Sequence, residues 1–204
     1  GLSCCFSACS DWVDVKTKGS LVPEETENYR YLMNNTENFR WTLSYHDVAS
    51  DDIDISDPAQ QEAIYETNKF IPVYTWADEI YSQSENDSKN GTNEEKLEIR
   101  AEALVHRAEA YLTLVNVYGV PYNAATASTD QGVPLLTTPR VEGALPRASV
   151  EKVYEQIFKD LDDAFEYLPD VAEFNFYPGK CAIYALRARA YLLMGNYTEA
   201  KKNA

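Results

Sequence analysis

Between positions 92 and 119 apolar residues return at intervals of three and four: Leu97, Ala101, Leu104, Val105, Ala108, Tyr111, Leu112 and Val115. That spacing places them on one face of a single long helix. Thr92, with Glu95 three residues later, predicts a capping box at its start, and Gly119 a stop at its end. A second stripe, Val153, Ile157, Leu161, Ala164 and Leu168, predicts another amphipathic helix. Ser149 would cap it, Glu151 would sit in its first turn and Pro169 would end it. A third segment, 180–194, carries Ala182, Ala185, Leu186, Arg189, Leu192 and Leu193 as one stripe. Gly195 then offers a left-handed stop, and residues 196–200 restart a helix at once. Helix, tight turn and helix with small residues at the close approach is the grammar of tetratricopeptide-like hairpins. The second helix begins just as the chain stops, which suggests a piece of something longer.

The remaining segments are less periodic. Residues 11–22 read as extended, and Pro23 with Glu24, Glu25 and Glu27 opens a short helix carrying Tyr29, Leu32 and Met33, ended by Asn34 and Asn35. Residues 39–45 alternate weakly and fit helix or extended chain. An acidic loop covers 47–57, and Pro58 starts a helix through Ile64 and Tyr65. An aromatic knot follows (Phe70, Tyr74, Trp76, Tyr81), then a polar linker over 82–94. After Gly119 come about thirty residues with Pro121, Pro134, Pro139 and Pro146 and no periodicity, a length expected of a functional loop or a surface strap. Local pairing is possible at 133–137, and 170–179 is a loop with Phe174, Phe176 and Tyr177. The class expected is all-α, tetratricopeptide-like hairpins with long irregular loops.

Composition narrows the chemistry. The 204 residues are 45% hydrophobic and 25% charged, which suits a globular domain with a core. A net charge of −15 repels phosphate backbones, so nucleic acid is a poor partner. The 15 tyrosines suit half-exposed helix packing, interfaces or sugar platforms. Asp52, Asp54 and Ser56 begin like a calcium loop, but Asp57 stands where the turn glycine belongs and Ala63 where the closing Glu belongs, so no metal site is expected. His46 and His106 have no nucleophile in a recognisable setting, and no catalytic residue or cofactor is expected. His106 reads as a packing or surface residue. Cys181 reads as a small buried hydrophobe, and no C-x-x-C spacing occurs. Residues 1–9 are small, apolar and uncharged, with three of the four cysteines, like the tail of a secretory signal. Phe6-Ser7-Ala8-Cys9 resembles a bacterial lipobox, with Phe6 where Leu is usual. Residues 1–8 would then be a signal remnant, 9–204 the domain, and Cys9 a lipid anchor.

Five motifs in order carry a family resemblance. Cys9-Ser10-Asp11-Trp12-Val13-Asp14-Val15 is similar to C-x-D-[FWY]-L-[DE]-V. Glu102-Ala103-Leu104-Val105-His106-Arg107-Ala108-Glu109-Ala110-Tyr111 resembles E-A-x-x-x-R-A-x-x-Y. Gly132-Val133-Pro134-Leu135 resembles a G-[VI]-P-L strap, and Arg147-Ala148-Ser149-Val150-Glu151-Lys152-Val153-Tyr154 resembles R-x-[ST]-V-x-[EQ]-V-Y. The 182–200 segment resembles A-x-x-A-L-x-A-[RK]-x-Y-L-x-x-G-[ND]-Y-x-x-A. Together they resemble the N-terminal portion of SusD/RagB-type outer-membrane lipoproteins. The resemblance implies a helical scaffold that binds glycans or other nutrients and passes them to a SusC-type TonB-dependent transporter, with no chemistry of its own. It implies surface exposure on the outer membrane through a lipid anchor, and a ligand site with Trp76 as stacking ring and Tyr74 and Asp78 nearby. The alternative is a tetratricopeptide-like interaction scaffold without a small ligand. Two departures stand out: a helix usual after the aromatic knot is missing, which would leave the 95–118 helix without its partner, and the family continues for a few hundred residues beyond this chain.

Overall fold

The computed structural model describes residues 25–34, 90–137 and 146–204. The expectations for 11–22, 39–45, 47–57, 58–65 and the aromatic knot lie outside these residues. Within them the chain forms α1 (Thr26–Met33), α2 (Asn93–Tyr118), β1 (Gln131–Pro134), β2 (Arg147–Ser149), α3 (Val150–Phe165), α4 (Lys180–Leu193) and α5 (Tyr197–Asn203). The class is all-α, as expected, with one small antiparallel ribbon.

The caps read from the sequence are formed. Thr92 Oγ1 accepts the Glu95 N–H at 3.2 Å, and Glu95 Oε2 accepts the Thr92 N–H at 2.7 Å. Two orphan donors of α2 are thereby satisfied. Ser149 Oγ accepts the Lys152 N–H at 3.3 Å at the start of α3. The end of α3 departs from expectation. The helix stops at Phe165, about a turn before Pro169, and Tyr167 N–H bonds to Ala164 O at 3.2 Å. Proline disfavours helical backbone in the residue before it, and the chain leaves the helix earlier still while keeping Leu168 buried.

The stripe on α2 is buried except for half-buried Leu97. The helix expected to lack a partner is covered on that face by α3, with which it makes its most extensive packing. Leu104, Leu112, Ile157 and Leu161 sit at the centre of this core. Each such side chain stabilises the fold by roughly 1.5–3 kcal/mol relative to exposure. Another face of α2 presents Ile99 and Ala103 to Tyr29 and Met33 of α1, forming a second, smaller core. Burial on two faces explains why α2 is apolar around much of its circumference.

Helix α4 corrects two expectations. Its buried residues are Ile183 and Ala190, flanked by Ala182, Leu186 and Met194, whereas Ala185, Arg189, Leu192 and Leu193 are exposed. The contact face is set by aromatic pairs to α3: Phe158 with Tyr191 at 4.6 Å and Phe165 with Tyr184 at 5.6 Å between ring centroids. Cys181 is exposed, not a buried hydrophobe. It precedes Ile183 by two residues, which places it about 200° around the helix from the buried face. The expected packing of 180–194 on the preceding helix is present.

The turn between α4 and α5 is formed as expected. Gly195 has φ +75°, Asn196 N–H bonds to Tyr191 O at 2.8 Å and Gly195 N–H to Leu192 O at 3.0 Å. These two bonds are those of a Schellman cap. Asn196 also starts α5, its Oδ1 accepting the Glu199 N–H at 3.2 Å.

Candidate functional site

The motif residues turn out to be cross-links between elements. Arg107 on α2 and Asp160 on α3 are both buried and form a bidentate pair, Nε to Oδ2 at 2.7 Å and a terminal nitrogen to Oδ1 at 2.5 Å. Gln156 Nε2 donates to the same carboxylate at 2.7 Å. Burial raises the Asp160 pKa, with Arg107 and Gln156 pulling against it. Glu102 on α2 accepts Arg30 of α1 at 2.7 and 2.8 Å, and burial likewise raises its pKa against the pull of that arginine. Tyr111 Oη donates to Leu136 O and accepts Leu136 N–H, both at 2.8 Å. That bond lashes the proline-rich segment to α2.

The strap itself is closed by Arg147. Its Nε donates to Gly132 O at 2.6 Å and a terminal nitrogen donates to Tyr118 O, the last carbonyl of α2. The ribbon pairs Gln131 with Ser149 and Pro134 with Arg147, with a register shift between. The local pairing expected at 133–137 is thus present, shifted toward 131–134. Residues 147–149 form a strand where the sequence read only as a lead into a helix. The strap is structural: it ties the end of α2 to the start of α3.

Of the residues expected to bind, Tyr74, Trp76 and Asp78 lie outside the described residues, as does the expected anchor Cys9. A groove among the described residues lies elsewhere. It has about 880 Å³ and lies between α1, the first turns of α2 and the 166–179 loop. Phe174 and Tyr177 line it, and Phe176 stands beside them outside the lining. Phe174 and Phe176 lie nearly parallel, 14° apart with centroids at 5.4 Å, and both are almost half exposed. Tyr177 braces the pair edge-on, at 5.6 Å from Phe174 and 4.6 Å from Phe176.

This wall is anchored across the chain. Tyr177 Oη donates to Asn34 Oδ1 at 2.8 Å, and the Arg30 guanidinium stacks over the Tyr177 ring at 5.1 Å while bonding Glu102. Glu25, Glu27, Glu95, Glu98 and Glu173 line the groove, with Arg30 the sole Lys or Arg among its described lining residues. Chemically this is a groove with two aromatic side chains, set edge-on, beside hydrogen-bond acceptors. Sequence reasoning noted three aromatics in this loop but did not join them to Arg30 and Asn34. The contact spans 143 residues of sequence, so only the concentration of aromatics before Pro178 could have pointed to it.

Among the described residues no group of His, Cys, Asp or Glu is arranged to hold a metal ion, and no helix is long and apolar enough to cross a membrane.

Comparison with known proteins follows the same line as the motifs. The profile of a SusD-like family, described as starch-binding and associating with the outer membrane, matches residues 12–192. SusD-like protein P2 of Formosa agariphila is 30% identical over 120 residues, which are 58% of this chain and 21% of that protein. A SusD superfamily protein of Bacteroides thetaiotaomicron shares the fold at a TM-score of 0.65 and 20% identity, over 88% of this chain and 45% of that one. A SusD-like carbohydrate-binding protein of Bacteroides vulgatus does so at 0.68 and 19%, over 88% and 44%. The chain therefore spans about a fifth of the curated relative and less than half of either structure. A profile running through α1 to α4, on a scaffold pinned by the motif residues themselves, makes this chain a member of the SusD-like family.

Proposed function

We propose that the protein binds glycans or chemically similar nutrients at the outer-membrane surface and delivers them to a SusC-type TonB-dependent transporter. The observation that carries this reading is the family match across residues 12–192, in a family described as starch-binding and associating with the outer membrane. The fold shared with a carbohydrate-binding protein of Bacteroides vulgatus supports it. Cys9 is the lipid attachment point in this reading, so the protein is held at the membrane without spanning it. Trp76 supplies the ring on which a sugar face stacks, with Tyr74 and Asp78 bonding hydroxyls. No bond is made or broken.

Calorimetry of the full chain against a panel of neutral oligosaccharides tests this directly. The expected result is binding to at least one glycan that Trp76→Ala weakens by about tenfold, the worth of one aromatic contact. A pull-down with the neighbouring transporter should recover the complex, and incubation with the bound glycan should release no reducing sugar. Tight transporter binding with no glycan heat at any concentration would favour the second reading, an interaction scaffold without a small ligand. The exposed Leu192, Leu193 and Tyr197 beside the α4–α5 turn speak for that alternative.

A further inference from the structure

We infer that copies of this chain associate head to tail, the α4–α5 turn of one seated on the 166–179 loop of the next. Neither surface includes the ligand residues proposed above. Both are exposed and apolar, and they carry opposite charge.

The first surface lies beside the α4–α5 turn, where Leu192, Leu193 and Tyr197 are exposed. Arg189 precedes Leu193 by four residues and Lys201 follows Tyr197 by four, so each cation shares a helix face with an apolar side chain. Residues 180–204 carry five Lys or Arg against a single acid, Glu199, in a chain of net charge −15. The second surface is the loop before α4. Val171, Phe174 and Phe176 are exposed there, Val171 by 82%, and the two phenylalanine rings stack on one another. Glu166, Asp170 and Glu173 are interleaved with them, and the loop contains no Lys or Arg.

Enough of this charge is unspent to guide a partner. Lys180 takes Asp170, and Lys202 takes Glu199. Among the described residues Glu166 and Glu173 on the loop, and Arg189 and Lys201 on the hairpin, form no ion pair. Arg189 acts on Glu109 only from beyond ion-pair distance.

Sign decides which surfaces meet. Turn against turn would bring Arg189 and Lys201 toward their own counterparts, and loop against loop would do the same for Glu166 and Glu173. Turn against loop sets cations against carboxylates while burying leucine and tyrosine against phenylalanine. One copy cannot satisfy itself, because α4 has 14 residues, about 21 Å of helix, and holds the two surfaces at opposite ends. A contact between unlike surfaces leaves one turn and one loop free in every pair, so it propagates. A few side chains on each partner make a small contact, so the association depends on concentration and is not permanent.

Sedimentation velocity of the full chain over a concentration series tests this, with two variants that each disable one surface. Leu192→Glu with Leu193→Lys disables the turn, and Phe174→Ser with Phe176→Ser the loop. All four positions are exposed, so the thermal midpoints should stay close to wild type. The wild type should grow beyond a dimer as concentration rises, and each variant alone should associate at least about tenfold more weakly. Mixed in equal amounts, the two variants should form a dimer that grows no further, since one keeps its loop and the other its turn. Charge reversal keeps the test decisive if the loop variant is destabilised. Glu166→Lys with Glu173→Lys should weaken association, Arg189→Glu with Lys201→Glu should do the same, and all four changes together should restore it at the wild-type net charge. A monomeric wild type, a loop variant that associates as strongly as wild type, a mixture that stays monomeric, or a fourfold reversal no stronger than either pair would overturn the proposal.

Discussion

Arg107 and Asp160 show what the family motif does at the level of single side chains. A guanidinium and a carboxylate buried together are expensive to separate, because either left alone is an uncompensated charge in the core. Arg107→Met or Asp160→Asn is therefore expected to cost about 3–5 kcal/mol in urea unfolding, and Arg107→Met combined with Asp160→Leu less than the arginine change alone. His106, its neighbour, acts through pH. It is partly buried, and desolvation lowers its pKa from 6.5 to about 4. The unfolded chain then binds more protons than the folded one between these values. Stability rises with pH across that window, is complete above 6.5, and is lost as pH falls toward 4. The total is at most about 3 kcal/mol. Glu102 and Glu109 work in the opposite sense, since burial raises their pKa and protonation favours the folded form. The His106 share is isolated by comparing wild type with His106→Gln: the variant should show a smaller loss of stability on acidification.

Elements are joined here by turns whose backbone few residues can adopt. Gly91 and Gly195 both have φ +75° but differ in surroundings. Nothing lies within 4 Å of an added Cβ at Gly195, so Gly195→Ala should cost only the left-handed penalty of about 1–2 kcal/mol. At Gly91 a Cβ would lie 2.7–2.8 Å from Thr26, whose hydroxyl donates to Asn90 O at 2.6 Å and ties α1 to the start of α2. Gly91→Ala should therefore cost more, about 2–3 kcal/mol, and Thr26→Ala should narrow the gap in thermal unfolding. These junctions also mark what the sequence could reveal. The helices α2 and α3, their caps at Thr92 and Ser149 and the stop at Gly195 depend on neighbours within four positions, and each was legible. The Arg107–Asp160 pair joins residues 53 apart, and the aromatic wall meets α1 across 143. Such partners are chosen by tertiary packing, which periodicity does not encode. The α4 stripe was misjudged for the same reason: a helix with small and large apolar residues on several faces does not declare which face its neighbour takes. Trp76, which the family resemblance implies as a stacking ring, stays a proposed ligand residue and stands to be tested as one.

For the molecule as a whole, two cores share α2 as their common wall, and α4 with α5 flanks the larger one. Beside the α4–α5 turn this flank exposes apolar side chains: Leu192 is 55% exposed, Leu193 42% and Tyr197 71%. Exposed apolar residues in this number favour self-association. Leu192→Glu with Leu193→Lys should reduce it in sedimentation velocity while changing stability by no more than about 0.5 kcal/mol per site. The turn beneath this flank carries a further consequence. Asn196 closes one helix and opens the next, so the hairpin has no spare residue in which to absorb a change of length. One inserted residue would advance the phase of α5 by about 100° and swing Ala200 away from the contact it now buries. The hairpin behaves as a gear tooth cut to a fixed pitch: substitutions on its faces are tolerable, but a single insertion or deletion at position 196 changes the handed path along which the helices stack.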